Sequence, residues 1–542
     1  MDQLIAPYGG PLVNLIDPAR AEALRHEAFS VRSIELDWRQ QCELEMLMSG
    51  AYSPLTRFMT RAQCALVESS RQLEDGTFWP VPVTLACPSP LAAGIAVGDR
   101  IALRDGEGFM LAMLSVDDAW DDNGTWRLGG AVEGVALPPH HDFVALRATP
   151  SELRALFARR GWRRVLAWQA REPMHRAQFE FCLKSAIAHE ANLLLHPKAG
   201  GDLADSPAYF GLVRSFIAIR ERFPAASTQL SLLPAPPRDA SACALLMRAI
   251  IARNYGCSLL IAGGQHLSDG ACRRGEDVSG RQADLDVTAL AEKIGVELIA
   301  YPRMVYVEDR AEYLPESEAP ADSRLRTLTG EEFQRRMQAG LRIPDWYSFP
   351  EVIEELRSQH PPRDRQGFTV FFTGLSGAGK STLARALAAR LMEMGGRSVT
   401  LLDGDIVRRH LSSELGFSKA HRDVNVRRIG FVAAEITKNR GIAICAPIAP
   451  YQQTRRDVRS MIEQVGGFVE IHVSTPIETC ESRDRKGLYA KARAGLIPEF
   501  TGVSDPYEIP AAPELAIDTT HLEIGEAVQQ VLLKLEREGY LR

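Results

Sequence analysis

The chain has 542 residues, 45% hydrophobic and 24% charged, which is too long for one hydrophobic core and predicts two to four domains. A net charge of −6 argues against a general affinity for nucleic acid or anionic membranes, so an anionic ligand must be held by local Arg and Lys clusters. The nine cysteines are scattered and form no C-x-x-C pair, which favours a reduced protein without disulfides. The sequence has no signal-peptide pattern and no apolar run of about 18 residues, so we expect a cytoplasmic protein without a membrane span.

Short strands dominate the start of the chain, and alternating strands and helices follow. In residues 1–146, turns rich in Pro and Gly separate apolar runs such as Trp79–Leu85 and Arg100–Arg104, which predicts a strand-rich domain. Strand–helix alternation over 147–300 predicts a parallel α/β domain. Its strands are expected at Val165–Trp168, Asn192–Leu195 and Ser258–Ala262, and its helices at 176–190 and 241–255. Residues 301–357 form a smaller mixed region that ends in a helix at 351–357.

A polar stretch with two prolines, residues 358–367, predicts a linker before the last part of the chain. The remaining residues, 368–542, suffice for a self-contained α/β domain. This domain begins with Phe368–Thr373, an apolar run typical of a buried strand.

A phosphate-binding loop follows that strand directly. Residues 374–382 read GLSGAGKST and lead into a helical pattern, which is the context that the motif G-x-x-x-x-G-K-S requires. In this motif backbone amides surround the phosphates, Lys380 neutralises the β/γ oxygens as a catalytic residue, and the Ser381 hydroxyl is offered to Mg²⁺. The predicted ATP-binding residues are Gly374, Leu375, Ser376, Gly377, Ala378, Gly379, Lys380, Ser381 and Thr382. The motif alone indicates only phosphate binding.

Carboxylates and arginines beyond the loop indicate the second substrate. The predicted strand Val399–Leu402 ends in Asp403-Gly404-Asp405, and a carboxylate at such a strand end lies over the ligand crevice. Asp405 is expected to accept the proton of an attacking hydroxyl or to hold Mg²⁺ through water, although one of the two carboxylates could be a helix N-cap. Arginines and aromatic residues then recur, which favours an anionic aromatic ligand: Arg408, Phe417, Arg422, Asn425, Arg427, Arg428, Tyr451, Arg455 and Arg459. A solvated helix face explains Arg427, Arg428 and Arg459 equally well.

The C-terminal motifs resemble the adenylyl-sulfate (APS) kinase family over residues 368–520: GLSGAGKST, LLDGDIVR, LGFS…HRDVNVRR, PIAPY, RDRKGLYAKARAG and FTGVSDPYEIP. The resemblance implies a P-loop NTPase-type kinase that phosphorylates the 3′-hydroxyl of APS with ATP and the cofactor Mg²⁺. It implies that Asp405 serves this hydroxyl and that Lys486 is a catalytic residue in a lid over the phosphates. The APS-binding residues that it implies are Arg408, Phe417, Arg422, Asn425 and Phe500.

One position departs from the family pattern of the kinase. Ala449 stands where many members carry a serine once proposed as a phospho-carrier. In-line transfer between two bound substrates needs no such carrier, so kinase activity is still expected.

Residues 1–355 resemble the ATP sulfurylase family through PYGGPLVN, GAYSPLTRFM, DGTFWPVPVTL, RNYGC and IPDWYSFPEV. The resemblance implies a multidomain α/β protein with an N-terminal PUA-like domain and a central Rossmann-like nucleotidyltransferase domain. Where the family has Q-T-R-N-P-x-H-x-x-H, this chain keeps Gln169, Arg171 and His175, but the asparagine has become Glu172 and the second histidine Gln178. Where the family has G-R-D-H-A-G, this chain has Gly264, Gln265, His266 and Leu267.

These departures predict a weak or inactive sulfurylase. A carboxylate at 172 repels a phosphate, and glutamine at 178 cannot become cationic. Gly264 removes an arginine, Leu267 is bulky where a small residue lets a nucleotide approach, and the segment 231–239 also differs from the family.

Three interpretations stay open. In the first, an active APS kinase is fused to a silent sulfurylase-like domain. In the second, both domains are active and the chain makes 3′-phosphoadenylyl sulfate (PAPS) from sulfate. In the third, the N-terminal region is a non-catalytic scaffold for oligomerisation or a regulatory nucleotide site. The expected partners are ATP and APS, with sulfate in the second case, in a homo-oligomer that binds neither nucleic acid nor membranes.

Overall fold

The computed structural model describes residues 3–87, 94–199, 207–236, 241–262, 275–276, 282–283, 286–359, 361–484 and 487–541. At 207, 275–276, 282–283 and 405 it describes the backbone alone. The chain divides into two units, of which one comprises Met1–Phe333 with Arg342–His360 and the other Gln334–Leu341 with Pro361–Arg542.

A six-stranded sheet forms the N-terminal part of the first unit. Helices α1 (Pro18–Glu27), α2 (Trp38–Met48) and α3 (Arg61–Ser70) accompany it. Its strands are β1 (Arg32–Glu35), β2 (Arg57–Phe58), β3 (Leu85–Cys87), β4 (Arg100–Arg104), β5 (Met110–Asp122) and β6 (Thr125–Gly134). They run in the order β1-β4-β5-β6-β2, with β3 also paired to β6, and only β1 and β4 are parallel.

The strand predicted at Trp79–Leu85 is wrong, whereas the strand predicted at Arg100–Arg104 is confirmed as β4. Pro80 and Pro82 have no N–H to give to a sheet ladder, so pairing begins only at Leu85. Trp79 is fully buried, and its Nε1 donates to the carbonyl of Val81 at 2.7 Å. The apolar run therefore fills the core of this sheet instead of extending it.

A five-stranded parallel sheet forms the centre of the first unit, in the order β13-β10-β7-β8-β9. Its strands are β7 (Val165–Trp168), β8 (Asn192–Leu195), β9 (Thr228–Leu230), β10 (Leu259–Ala262) and β13 (Glu297–Ala300). The helices are α4 (Pro150–Arg159), α5 (Arg176–Ala188), α6 (Pro207–Arg220), α7 (Ala242–Asn254) and α8 (Val287–Ile294). The predicted strands and the two predicted helices are confirmed within two residues at their ends.

Smaller elements complete this part of the chain. A two-stranded ribbon joins β11 (Gly275–Glu276) to β12 (Gln282–Ala283). An antiparallel sheet contains β14 (Met304–Val307), β15 (Glu312–Pro315) and β16 (Leu325–Arg326). Helices α9 (Gly330–Gln338) and α10 (Pro350–Gln359) follow.

The second unit is built on another parallel sheet, in the order β18-β19-β17-β20-β21. Its strands are β17 (Phe368–Thr373), β18 (Val399–Asp403), β19 (Ile442–Ala446), β20 (Gly467–Val473) and β21 (Leu515–Ile517). Its helices are α11 (Lys380–Met394), α12 (Gly404–His410), α13 (Lys419–Lys438), α14 (Gln452–Glu463), α15 (Ile477–Ser482), α16 (Leu488–Arg493) and α17 (Ile524–Arg537). The succession of one mixed and two parallel sheets confirms the predicted multidomain α/β class.

No helix in the described ranges is long and apolar enough to cross a membrane. The eight described cysteines are all buried, and none of them is in a disulfide.

Candidate functional site

The loop between β17 and α11 has a backbone that only glycine adopts at low cost. Gly374 and Gly377 have φ of +147° and +78°. A Cβ on Gly374 would lie 2.5 Å from the carbonyl oxygen of Val473, and one on Gly377 would lie 2.9 Å from that of Cys480. Both the conformation and the close approach of neighbouring backbone therefore require glycine.

Helix α11 begins without a side-chain cap. Its N-cap is Gly379 at φ +102°, which has no side chain to accept a bond from the first N–H groups of the helix. These groups point out of the helix end, where the helix dipole also favours negative charge. Because β17 is completely buried, the loop and the helix end are held on a rigid base. The arrangement suits a phosphate chain.

Lys380 folds back over this loop. Its Nζ donates to the carbonyl oxygens of Gly374 at 2.9 Å and of Leu375 at 2.7 Å, and only 7% of the residue is exposed. Burial lowers the pKa of Lys380 to about 8, against the opposing influence of Cys480 and Asp403. A buried ammonium group beside the loop provides the charge contact that a bound phosphate needs.

Hydroxyl groups support the loop from behind. The Oγ1 atoms of Thr475 and Thr519 donate to the carbonyl of Ala378 at 3.2 and 3.0 Å. The Tyr489 hydroxyl donates to the carbonyl of Ser376 at 2.8 Å. These bonds fix the carbonyls of Ser376 and Ala378 and so hold the loop in one conformation.

A carboxylate lies at the end of the neighbouring strand. Asp403 is the last residue of β18 and only 2% exposed, and its Oδ2 lies 3.7 Å from an Nη of Arg385. Its charge favours the charged form of Lys380. For Asp405 the structure gives only the backbone, in the first turn of α12, so its role as base and Mg²⁺ ligand stays a prediction. Lys486 lies outside the described residues.

Arg408 and Phe417 form a cation–π pair just before α13. The guanidinium carbon of Arg408 lies 4.4 Å from the ring centroid of Phe417, and its Nη1 donates to the carbonyl of Gly416 at 3.1 Å. Phe417 is 66% exposed, which is unusual for a phenylalanine and leaves ring surface for an aromatic ligand.

Arg422 and Asn425 share one face of α13 and are both buried, at 7% and 5% exposure. Arg422 donates to Thr501, Asp505 and the carbonyl of Glu499. Its Nε and the Oδ1 of Asn425 are buried without a hydrogen-bond partner in the described part of the chain. Such atoms are rare in proteins and suggest a ligand that would complete them.

Phe500 is half-buried and lies between Glu499 and Thr501, two residues to which Arg422 donates. Its ring lies 5.0 Å from that of Tyr489 in an edge-on arrangement. Tyr489 in turn supports the phosphate loop. Phe500 is thereby connected to the loop through one aromatic contact.

A second cluster of polar groups lies at the carboxyl ends of β7 and β8 in the first unit. Arg248 of α7 donates through Nε to the Oε1 of Gln169 at 3.2 Å and through Nη2 to its carbonyl at 3.0 Å. Burial, followed by the nearby charge of Arg171, lowers the pKa of Arg248 to about 10. Partial burial also lowers the pKa of Arg171, although the residue remains exposed to solvent. Two arginines therefore lie close enough to influence each other at this strand end.

His175 and Gln178 are both engaged by the protein. His175 Nδ1 lies 2.8 Å from the Ser348 hydroxyl, and its ring packs against Tyr347 and Phe333 at 4.8 and 5.2 Å. Burial lowers the pKa of His175 to about 4, so the ring is neutral at pH 7. Gln178 turns back to accept the N–H of His175 at 3.1 Å, which caps α5. Glu172 is exposed to solvent.

Three family models match the chain, and together they span most of it. The model of adenylylsulphate kinase matches residues 366–518, that of ATP-sulfurylase matches 144–359, and that of a PUA-like domain matches 5–129. The sulfate adenylyltransferase of Phaeosphaeria nodorum is 40% identical over 567 aligned residues, covering 99% of both chains. That of Emericella nidulans is 39% identical, covering 98% of this chain and 99% of its own. A solved structure, the hexameric APS kinase from Thiobacillus denitrificans, is 70% identical with a TM-score of 0.87, covering 100% of this chain and 99% of that one.

The chain belongs to the family of fused ATP sulfurylases and APS kinases. It is an enzyme that joins an adenylyl-sulfate kinase domain to a sulfate adenylyltransferase-like domain, preceded by a PUA-like domain. The resemblance stated from the sequence is confirmed.

In the APS kinase domain, the described residues predicted for ATP and for APS lie in separate groups. The loop 374–379 and Lys380 lie at the start of α11, and Arg422 and Asn425 share a buried face of α13. In the sulfurylase-like domain, Gln169 is buried whereas Arg171 and Glu172 are exposed. Gly264, Gln265, His266 and Leu267 lie outside the described residues.

Sequence reasoning missed His196, which directly follows β8 in the sulfurylase-like domain. It is fully buried, both ring nitrogens are without a hydrogen-bond partner within the described ranges, and burial lowers its pKa to about 3. It also missed Arg248. Both could have been found from the sequence. His196 directly follows an apolar run of strand length, and Arg248 lies in the middle of the apolar helix α7.

Proposed function

We propose that the C-terminal domain transfers the γ-phosphate of ATP to the 3′-hydroxyl of APS, and that the sulfurylase-like domain is weak or inactive. The observation that carries the kinase part is the loop 374–379, with its positive-φ glycines, an uncapped helix end and the buried Lys380. These three features together support a site for the phosphate chain of a nucleotide.

The acceptor half of the site supports an adenine nucleotide with acidic groups. The exposed face of Phe417 offers a stacking surface, with the guanidinium group of Arg408 against the same ring. The buried Nε of Arg422 and Oδ1 of Asn425 offer one donor and one acceptor. The donor suits a sulfate, phosphate or ribose oxygen, and the acceptor suits a ribose hydroxyl.

The proposed transfer is direct. Asp405 takes the proton of the 3′-hydroxyl as its oxygen bonds to the γ-phosphorus, the bond from this phosphorus to the β–γ bridging oxygen breaks, and ADP leaves. Lys380 stabilises the charge that develops on the phosphate oxygens. Ser381 and Asp405 would hold Mg²⁺ through hydroxyl and water oxygens, and the metal would supply neutralisation of charge on the phosphates.

Position 449 supports direct transfer. Ala449 has φ +46° and is 1% exposed, and its carbonyl accepts bonds from Thr373 Oγ1 at 3.2 Å and Arg455 Nη1 at 2.7 Å. This residue fixes backbone and has no hydroxyl that could carry a phosphate.

The proposal of a weak sulfurylase rests on two motif residues that already form hydrogen bonds within the protein. His175 is neutral and bonded to Ser348, and Gln178 caps α5, so neither offers a positive charge to an oxyanion. Because Glu172 is exposed, its repulsion of a phosphate in water costs only about 1 kcal/mol at 4 Å. The missing positive charges at 175 and 178 are therefore expected to lower sulfurylase activity more than the added carboxylate of Glu172.

Full bifunctionality is the second candidate. The cationic pair Arg171 and Arg248 favours it, because two arginines at the carboxyl end of a parallel sheet suit an anionic substrate such as sulfate. The relatives from Phaeosphaeria and Emericella are named sulfate adenylyltransferase and match along their whole length. A third possibility, a non-catalytic scaffold, agrees with a homo-oligomer like the hexameric relative from Thiobacillus.

A paired assay on one purified sample tests this proposal. APS-dependent ADP formation is expected to be vigorous, whereas ATP formation from APS and pyrophosphate is expected to be at least about 100-fold slower, as when charge contacts of one transition state are missing. Comparable rates would establish the bifunctional alternative. A sample without APS-dependent ADP formation would refute the kinase assignment.

The acceptor residues make a separate prediction. Arg422→Ala and Phe500→Ala are each expected to raise KM for APS by about 5- to 150-fold, since a lost charged bond or stacking surface costs about 1–3 kcal/mol. KM for ATP is expected to change far less. Steady-state kinetics with each substrate varied measures both.

The matched control is Arg427→Ala, on the same helix. Arg427 pairs with Asp457 at 2.9 Å, and both side chains are partly exposed. This variant is expected to behave as wild type. Equal effects of Arg422→Ala on both Michaelis constants would show that Arg422 does not belong to the acceptor half.

A further inference from the structure

The segment 499–505 of the APS kinase domain is a tight loop with its own internal bonds. The N–H of Phe500 donates to the Ser504 hydroxyl at 2.8 Å, and the N–H of Gly502 donates to the carbonyl of Asp505 at 2.7 Å. The carbonyl of Phe500 accepts bonds from Val503, Ser504 and Asp505. Phe500 near one end and Asp505 at the other therefore move together.

A single carboxylate oxygen ties this segment to two other elements. Asp505 Oδ2 accepts from Arg422 Nη1 of α13 at 2.9 Å and from the Tyr451 hydroxyl at 2.7 Å. The Arg422 and Asp505 side chains are only 8% and 15% exposed, so water screens their ion pair little. The guanidinium group also lies 5.6 Å from the centroid of the Tyr451 ring.

Arg422 makes two more bonds to the same segment. Its Nη1 donates to the Thr501 hydroxyl at 2.6 Å, and its Nη2 donates to the carbonyl of Glu499 at 2.9 Å. Both terminal nitrogens thus bond to the protein, and Asp505 balances the charge. The Nε of Arg422 is buried without a partner in the described part of the chain, as is the Oδ1 of Asn425 one turn further along, so both are open to a ligand.

We propose that Asp505 is a positioning residue for the acceptor substrate. It holds Arg422 and Tyr451 in place, and through them it keeps the segment that carries Phe500 closed on the acceptor half of the site. Arg422 contributes to APS binding mainly through this segment and its remaining N–H donors, rather than as an unbalanced cation. The inference rests on the proposed kinase function and deepens it.

The Michaelis constants distinguish a residue that positions the substrate from one that only stabilises the fold. If Asp505 orders the acceptor half, its loss weakens APS binding far more than ATP binding, because its side chain bonds to Arg422 and Tyr451 rather than to the phosphate loop. If Asp505 only stabilises the domain, its loss lowers the amount of folded enzyme and leaves both Michaelis constants unchanged.

The test is Asp505→Asn in the full-length chain, with initial rates measured while APS and ATP are varied in turn. KM for APS is expected to rise at least about 10-fold, because two charge-assisted bonds lose their charge. KM for ATP and kcat are expected to change by less than about threefold, within the range of a lost neutral contact. In the Arg422→Ala background, the same substitution is expected to add little, because the two residues act as one unit.

Two further variants keep the test decisive. Tyr451→Phe removes one hydroxyl and is expected to raise KM for APS by a smaller factor than Asp505→Asn. It provides the test even if Asp505→Asn folds poorly. Asp457→Asn, which alters a partly exposed acid paired with Arg427, is expected to match wild type. A KM for APS within twofold of wild type in both Asp505→Asn and Tyr451→Phe overturns the inference, and so does an equal rise for ATP. A wild-type protein without APS-dependent ADP formation would refute the proposed function itself.

Discussion

Lys380→Ala and Asp405→Ala are each expected to lower APS-dependent ADP formation by at least about 100-fold. Lys380 is a preorganised charge at the phosphate loop, already buried and bonded to the carbonyls of Gly374 and Leu375. Removing such a contact costs transition-state stabilisation of this size, and the predicted proton acceptor is expected to be as important. Coupled detection of ADP at saturating ATP and APS measures the loss.

The control for this experiment is Lys534→Ala. Lys534 lies on α17 and pairs with Glu538 at 2.9 Å, on the surface of the same domain. It changes the net charge as Lys380→Ala does, but a surface ion pair contributes little. Turnover in Lys380→Ala or Asp405→Ala close to that of Lys534→Ala would contradict the assignment of the altered residue.

The second large effect is expected from repairing the sulfurylase-like pocket. One multiple variant combines Glu172→Asn, Gln178→His, Gly264→Arg, Gln265→Asp and Leu267→Ala with Lys380→Ala, which prevents the kinase from consuming APS. This variant is expected to produce, or greatly raise, ATP formation from APS and pyrophosphate, measured by luminescence. Glu172→Asn or Gln178→His alone is expected to do little, because groups that act in one transition state are strongly non-additive.

The structure adds a cost to this repair. Gln178 accepts the N–H of His175 at the start of α5, so Gln178→His removes a cap worth about 1 kcal/mol. A thermal melt of the repaired protein therefore checks that the fold survives. A well-folded repaired protein without any gain would place the defect elsewhere, with the altered segment at 231–239 as the first candidate. Vigorous ATP formation by the unrepaired domain would show that Arg171 and Arg248 suffice.

Local patterns predicted the fold well where the chain is regular. The buried run Phe368–Thr373 and the glycines after it predicted β17, the loop and α11, because strand period, glycine and helix start follow one another directly along the chain. The run Trp79–Leu85 misled because hydrophobicity alone does not show where prolines prevent pairing. Only the packed domain shows that Trp79 fills the core.

The candidate site was only partly predictable. Lys380 and Gly374 follow from a motif within one segment of chain. The partners of Arg422 lie 77 to 83 residues away along the sequence, so no local pattern indicated that Asp505 already balances its charge. Likewise, nothing before folding shows that Thr475 and Thr519 meet at the carbonyl of Ala378.

The burial of Lys380 is expected to couple nucleotide binding to proton uptake. With a pKa of about 8, its amine is part neutral in mildly alkaline solution. An entering phosphate favours the ammonium form, so its binding near that pH draws a proton from the solvent. The apparent affinity for ATP therefore declines as the pH rises through this value, and the heat of binding depends on the ionisation enthalpy of the buffer. The affinity of the phosphate loop for its nucleotide is therefore expected to depend on pH.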